Sequence, residues 1–309
     1  MPPTLHPVLA WYPLVCPQHL FIDRQGETNA FYETNPAAIF QSDGTLHIAV
    51  RLVNYRKFHT RAFKMGGRLS ESKYIFWKAR LDEGGLTSLS EAKEIVWTNP
   101  FPKYPSVWTG YEDLRFLTHS SKILVTAPEL NSSGAPRLVL GMLNADTATA
   151  AITDLLEPSA TEKNWMPFSA IAGAEASHVI YSVSPLVVKR LVTPTAVTLV
   201  SEIPTLAGYH GSSNGVPYQG GHLFLIHLYK ERTEHRWFYL NFTEKTYGFS
   251  DPFVFLEHSY IEFTCSLSEI PGKKEEFLVG LGVNDDKAFL LRVEGPTAFA
   301  RFSFDVVKN

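Results

Sequence analysis

Cysteine is almost absent: only Cys16 and Cys265 occur, far apart and without ligand-like spacing. That argues against a disulfide framework and a structural zinc site, while a single bridge between the two stays open. No run approaches the ~20 apolar residues that a bilayer-crossing helix needs, so no membrane span is expected. The first residues, Met1-Pro2-Pro3-Thr4-Leu5-His6, lack the basic and long apolar regions of a secretory signal, which predicts a cytoplasmic protein. Neither sign of charge dominates, with 28 Lys and Arg against 31 Asp and Glu. Such balance gives no general attraction for nucleic acid or anionic membrane. The P-loop, the dinucleotide fingerprint, the Gly-x-Ser-x-Gly elbow and His-Glu-x-x-His are all missing, so no cofactor or metal is expected.

Helical periodicity is also scarce. Short runs of Val, Ile, Leu, Phe and Tyr recur instead, cut by Gly, Pro, Asn and Asp, which is the pattern of strands and tight turns. Ala38-Ile39-Phe40 leads through Ser42-Asp43-Gly44 into Leu46 to Val50. Later pairs run Ile123 to Ala127 with Arg137 to Leu143, His178 to Ser182 with Val187 to Leu191, His222 to Tyr229 with Arg236 to Phe242, and Glu276 to Gly282 with Ala288 to Val293. These runs group into units of roughly 45–50 residues, a spacing that fits propeller blades of three or four strands. The expectation is an all-β, five-bladed β-propeller in one domain, with blades starting near Asn35, Tyr111, Lys163, Ser212 and Ile261. Residues 1–34 then pack over one opening or complete the last blade. A β-sandwich or two smaller β domains is the alternative.

Four separated segments mix carboxylates, basic groups and aromatics at the start of apolar runs: Gly110 to Arg115, Glu162 to Phe168, Gly220 to Arg236 and Gly282 to Asp286. Asp113 is the sharpest of these residues, lying between Glu112 and Arg115 and after Trp108 and Tyr111. Glycoside chemistry needs a carboxyl group to protonate the leaving oxygen and aromatic faces to hold the ring. The plain alternative is a strand-start turn with solvated acids. In an extended segment Asp113 and Arg115 share a face, and a nearby cation makes the Asp a poorer acid. Either Arg115 points at a bound anion, or the proton travels through a sugar hydroxyl. Lys163 suits a phosphate and Trp165 a sugar face, although Trp165 also reads as core. His227 sits within an apolar run with Tyr229 on the same strand face, and Arg236 follows a charged hairpin. Glu262 is costly to bury unpaired, so it belongs at a strand mouth or beside a cation. Asn284-Asp285 reads by default as a turn, as do Asn35-Pro36 and the Arg51 to Arg56 stretch with Asn54.

In order and spacing these segments resemble glycoside hydrolase family 130 and the related mannosyltransferases of glycosyltransferase family 108. The family's Glu-Asp-Pro-Arg signature looks like Glu112-Asp113-Leu114-Arg115, with Leu where Pro is usual. Its glycine-rich stretch is similar to Gly215 to His227, its later Glu to Glu262, its Gly-Ala-Ala-Asp turn to Gly282 to Asp285, and its early Asn-Pro strand with Arg to Asn35-Pro36 and Arg51. The resemblance implies inverting transfer of a mannosyl unit to or from phosphate, with Asp113 as general acid. Asn35, Arg51, Asn54, Glu112, Trp165, Tyr229, Glu262 and Asp285 would hold the small-molecule or oligosaccharide substrate. Arg115, Lys163, His227 and Arg236 would hold inorganic phosphate or a nucleotide sugar's phosphate, since preorganised cations at the attacking anion are what that reaction needs. A hydrolase would instead need Glu262 or Asp285 as base, and a non-catalytic glycan-binding propeller would need no acid at all.

Overall fold

Alternation of apolar residues with Gly- and Asn-rich turns drives this chain into antiparallel ladders. The computed structural model describes residues 3–20, 31–57, 63–65, 70–98, 108–117, 121–127, 136–156, 164–169, 178–191 and 197–304. Five sheets of four or more strands follow one another along the sequence, beside a two-stranded pair. The first is built on Tyr32–Phe40, Leu46–Val53 and Ser70–Asp82, the second on Glu112–Phe116, Lys122–Ala127, Arg137–Asn144 and Thr149–Leu156. The third holds Met166–Phe168, His178–Val183, Leu186–Arg190 and Val197–Ser201; the fourth centres on Gly221–Tyr229 and Thr233–Asn241; the fifth holds Glu262–Glu269, Glu276–Val283 and Lys287–Glu294. The strand pairs read from the sequence are present in register, for example Ile123 opposite Gly141 and Leu225 opposite Trp237.

The arrangement is propeller-like. Each buried apolar cluster is shared by two sheets consecutive around a ring. Ala49 and Tyr74 of the first sheet meet Leu114 and Val125 of the second, and Leu138 and Leu140 meet Trp165 and Val179 of the third. Ile180 and Val188 meet Phe224 and Phe238 of the fourth. Leu225 and Trp237 meet Leu267 and Leu281 of the fifth, and Leu278 and Leu290 return to Ile48 and Val50. Hydrophobic burial therefore links every sheet to both of its neighbours. Inner strands are also cross-tied: Ser266 Oγ accepts from the Ala38 amide and donates to the Pro36 carbonyl, and the Asn214 side chain brackets both the amide and the carbonyl of Leu267.

A strand near the N-terminus joins the fifth sheet. Val8–Leu14 runs antiparallel to Lys287–Glu294, and Thr4–Leu5 pairs with Phe253–Val254 in the fourth sheet. Between them His6 Nε2 accepts from Trp237 Nε1 at 3.1 Å while its Nδ1 lies 2.9 Å from the Pro7 carbonyl, which fixes the neutral Nδ1–H tautomer. Cys16 and Cys265 are both buried and free, so no bridge joins them. Among the described residues no helix is long and apolar enough to cross a membrane.

Burial lowers the pKa of His6, and that of His222 to about 4. Groups held neutral in this way stabilise the fold fully above pH 6.5, and that stability is lost as pH falls toward the folded-state value. His222 alone should withdraw about 2 kcal/mol at pH 5 relative to pH 7. Urea unfolding at the two pH values checks this, with His222→Gln expected to flatten the difference.

Candidate active site

Three inner strands carry an Asn or Asp in the left-handed region within or just before their first half: Asn35 at φ 40°, Asp113 at φ 52° and Asn164, two residues before Met166, at φ 63°. Asn and Asp tolerate this backbone better than other non-glycine residues. In the first two sheets the register also slips there, between Thr34 and Ala37 and between Glu112 and Arg115. Such bulges re-aim a side chain away from the ladder, and here they turn Asn35 and Asp113 toward each other.

Asp113 is buried. Its Oδ1 accepts from Asn35 Nδ2 at 3.0 Å and lies 3.3 Å from Arg51 Nη1. Arg51, also buried, gives Nη2 to Glu112 at 2.6 Å and to Tyr55 Oη at 3.1 Å, and Nε to Ser72 Oγ at 2.8 Å. Attraction from Glu112, Tyr55 and Asp113 outweighs the cost of its burial and raises its pKa further. The Leu114 amide, available because Leu stands where the family pattern has Pro, donates to Tyr74 Oη at 2.9 Å. Gly110, at φ 89°, lets the chain pass so close to Ser72 that a Cβ would lie 1.7 Å from its carbonyl oxygen.

Arg115 does not face the Asp113 carboxylate. It is fully buried and donates Nε to the Ser212 carbonyl at 2.6 Å and Nη1 to the Asp113 carbonyl at 3.0 Å, while Nη2 has no hydrogen-bond partner. Its guanidinium stands 5.7 Å from the Phe263 ring, and His227 meets the edge of that ring at 5.3 Å while pairing with Ser212 Oγ at 2.7 Å. The cation beside the carboxylate is thus Arg51, and Arg115 with His227 forms an adjoining basic lobe around Ser212 and Phe263.

The turn carrying Asp285 reaches the same place. A Cβ on Gly282 would lie 2.1 Å from Asn35 Oδ1 and 2.6 Å from its amide nitrogen. Asn284 Oδ1 accepts from the Ile261 amide, and Asp285 is buried at φ 53°. Gly282→Ala should therefore push Asn35 off Asp113 and lower turnover about tenfold, with stability reduced by about 1–3 kcal/mol because the added Cβ also meets the Asn35 backbone; steady-state assays beside thermal melts check both. Asn54 sits at the end of Arg51's strand, where its Oδ1 accepts from the Glu71 amide at 2.7 Å.

Other expected residues lie elsewhere. Trp165 is wholly buried against Tyr181 and Val179, so it offers no face to a sugar; the apolar space between the second and third sheets claims it. Glu262 is held by the Phe255 and Leu256 amides and Ser259 Oγ, with His235 at 3.4 Å and Arg232 at 3.8 Å. Burial raises its pKa, but these donors outweigh that and the net shift is downward. With both oxygens engaged, it staples a loop and is not available as a hydrolytic base. Arg236 projects from the third strand of its sheet to Tyr209 Oη and the Ser250 carbonyl, over the rings of Tyr209 and Phe249. Tyr229 stands half-buried at the hairpin end of the strand that carries His227. Lys163 lies outside the described residues, although Gly211 packs against the carbonyl of neighbouring Asn164. The supporting residues Ser72, Tyr74 and Ser212 escaped sequence reasoning because none of them signals chemistry alone; the close-approach Gly110 was the available clue.

No protein-family model matches the chain, and no curated protein sequence does either. Solved structures do share its fold. The β-1,2-mannobiose phosphorylase of Listeria innocua, in complex with β-1,2-mannobiose, is similar with a TM-score of 0.55 at 14% identity, over 93% of this chain and 97% of that one. A mannose phosphorylase from Leishmania mexicana, in complex with phosphate ion, gives 0.57 at 9% identity over 98% and 95%. A xylotriose-bound GH43_1 enzyme from Xanthomonas citri gives 0.52 at 9% over 88% and 91%. The resemblance read from the motifs therefore extends to the fold.

Proposed function

We propose that this chain is a carbohydrate-active enzyme that moves a mannosyl unit to or from phosphate with inversion, on a single five-bladed propeller. Five sheets joined by five shared cores support the blade count. The observation that carries the chemistry is the placement of one buried, oriented aspartate beside a basic pair, Arg115 and His227. Asp113 is oriented by Asn35 and Arg51, and Arg115 with His227 lies across Ser212 from it.

An ion-paired carboxylate is a weak direct donor. The proton therefore reaches the leaving oxygen by way of a substrate hydroxyl bonded to Asp113. The hydroxyl gives its proton to the glycosidic oxygen, and Asp113 in its protonated form resupplies it. Asp113 is left as the carboxylate beside Arg51 while phosphate attacks the anomeric carbon from the opposite face, and solvent reprotonates Asp113 after the products leave. Arg115 and His227 neutralise that phosphate. Fixed cations of this kind, in a site shielded from water, supply much of the barrier reduction for an anionic nucleophile. The phosphorylase neighbours act on mannosides, and that is the basis for choosing mannose. A hydrolase reading retains only Asp285 as a base, since Glu262 is engaged.

Incubation of the protein with β-mannobiose in water, in inorganic phosphate, or with GDP-mannose and mannose, followed by phosphorus and proton NMR, tests this. α-Mannose 1-phosphate forming only when phosphate is present is the expected product. Release of free mannose alone without phosphate would favour the hydrolase, and no reaction in any arm would overturn the reading.

A further inference from the structure

The ladder between the first two strands of the second sheet skips two residues. Glu112 faces Thr126 and Arg115 faces Leu124, so Asp113 and Leu114 have no cross-strand partner in register. A bulge of this kind leaves its backbone groups to be satisfied elsewhere, since buried amides and carbonyls rarely go unpaired. Asp113 also sits at φ 52°, a conformation that Asp tolerates better than most residues. The ladder alone therefore does not fix where its carboxylate points.

Two side chains from other sheets take hold of Leu114. Its amide donates to Tyr74 Oη at 2.9 Å, and its carbonyl accepts from Cys265 Sγ at 3.2 Å. Tyr74 belongs to the first sheet and Cys265 to the fifth, and all three residues are buried. Burial pushes the Cys265 thiol up to about 12, so it stays protonated and remains a donor. Tyr74 stands directly opposite Arg51 in the first sheet's ladder. The residue that grips the chain just after Asp113 is thus the register partner of the cation that lies 3.3 Å from the Asp113 carboxylate. A proline at position 114 would offer no amide for this grip.

We propose that Tyr74, with Cys265 as its counterpart, is a positioning residue for the transfer reaction, clamping the backbone at Leu114 so that Asp113 stays aimed at Arg51. Neither side chain needs to touch the substrate. Released from the clamp, the bulge can slip toward regular pairing, and a one-residue slip turns a strand side chain to the opposite face. Asp113 then leaves Arg51, and loss of a neighbouring cation makes a carboxyl group harder to ionise. The part in catalysis rests on Asp113 acting as the acid; the clamp on its carboxylate does not.

Tyr74→Phe and Cys265→Ala each remove one grip, whereas Cys265→Ser retains a donor. The full chain, isotope-labelled at its Asp carboxyl carbons, is titrated by carbon NMR, with Asp113→Asn identifying the signal. Asp113 should titrate about one pH unit higher in Tyr74→Phe, and less far in the same direction in Cys265→Ala, with Cys265→Ser close to wild type. In phosphate-dependent turnover, Tyr74→Phe should lower kcat about tenfold while both KM values hold. A general acid works only while protonated, so the falling limb at high pH should move upward with the carboxyl group. A loss of stability alone, read in thermal melts, moves neither the limb nor the titration. Should Tyr74→Phe fail to fold, Cys265→Ala against Cys265→Ser makes the same comparison. An Asp113 signal that titrates as in wild type in the folded variants overturns the proposal, as does a shifted signal with unchanged kcat. Absence of turnover in wild type sinks the mannoside reading, and the titration still decides the clamp.

Discussion

Asp113→Asn is expected to lower mannoside turnover by about 10³-fold or more, at the upper part of the range for loss of a general acid. Affinity for the sugar should change little, because Asn keeps an oxygen to accept from Asn35 Nδ2. Removing the charge also leaves Arg51 with Glu112 as its remaining carboxylate, so a modest loss of stability accompanies the change. Initial rates with saturating phosphate, beside a binding isotherm and a thermal melt, separate the two effects. A variant that binds sugar normally and turns over normally would remove Asp113 from the reaction.

Arg115→Met should raise the phosphate KM about 100-fold, in line with losing a charge-assisted bond of 1.5–3 kcal/mol. Met fills a comparable volume without the charge. The fold loses two hydrogen bonds, to the Ser212 and Asp113 carbonyls, and sheds a buried guanidinium with no carboxylate in hydrogen-bond contact. Those terms oppose each other, so stability should stay within about 2 kcal/mol of wild type. The discriminating readout is the split between substrates: the sugar KM stays flat while the phosphate KM moves. Equal change in both would mean that Arg115 supports only the backbone at Asp113.

The strand pairs were legible because one-sided burial imposes a two-residue alternation, and turns such as Ser42-Asp43-Gly44 announce themselves chemically. Asp113, Asn35 and Arg51 were legible as a set from the order of motifs, and the geometry brings them into contact. What stayed hidden was which polar groups serve the fold. Glu262 follows an Ile at the start of an apolar run just as Asp113 follows an aromatic pair, yet a nearby loop folds its amides onto one and leaves the other to Asn35 and Arg51. Trp165 could equally have lined a site or a core, and only the neighbouring sheet decides. Which cation stands beside Asp113 stayed open for a related reason. In an extended segment Asp113 and Arg115 would share a face, but the bulge between Glu112 and Arg115 turns the carboxylate toward Arg51, 62 residues away.

Where the sugar sits tests the account most directly. A crystal structure of the Asp113→Asn protein soaked with β-mannobiose and phosphate should show a pyranose hydroxyl within hydrogen-bond reach of residue 113 and a phosphate against Arg115 and His227. Sugar bound only at a place remote from residue 113, or phosphate bound away from Arg115 and His227, would contradict it.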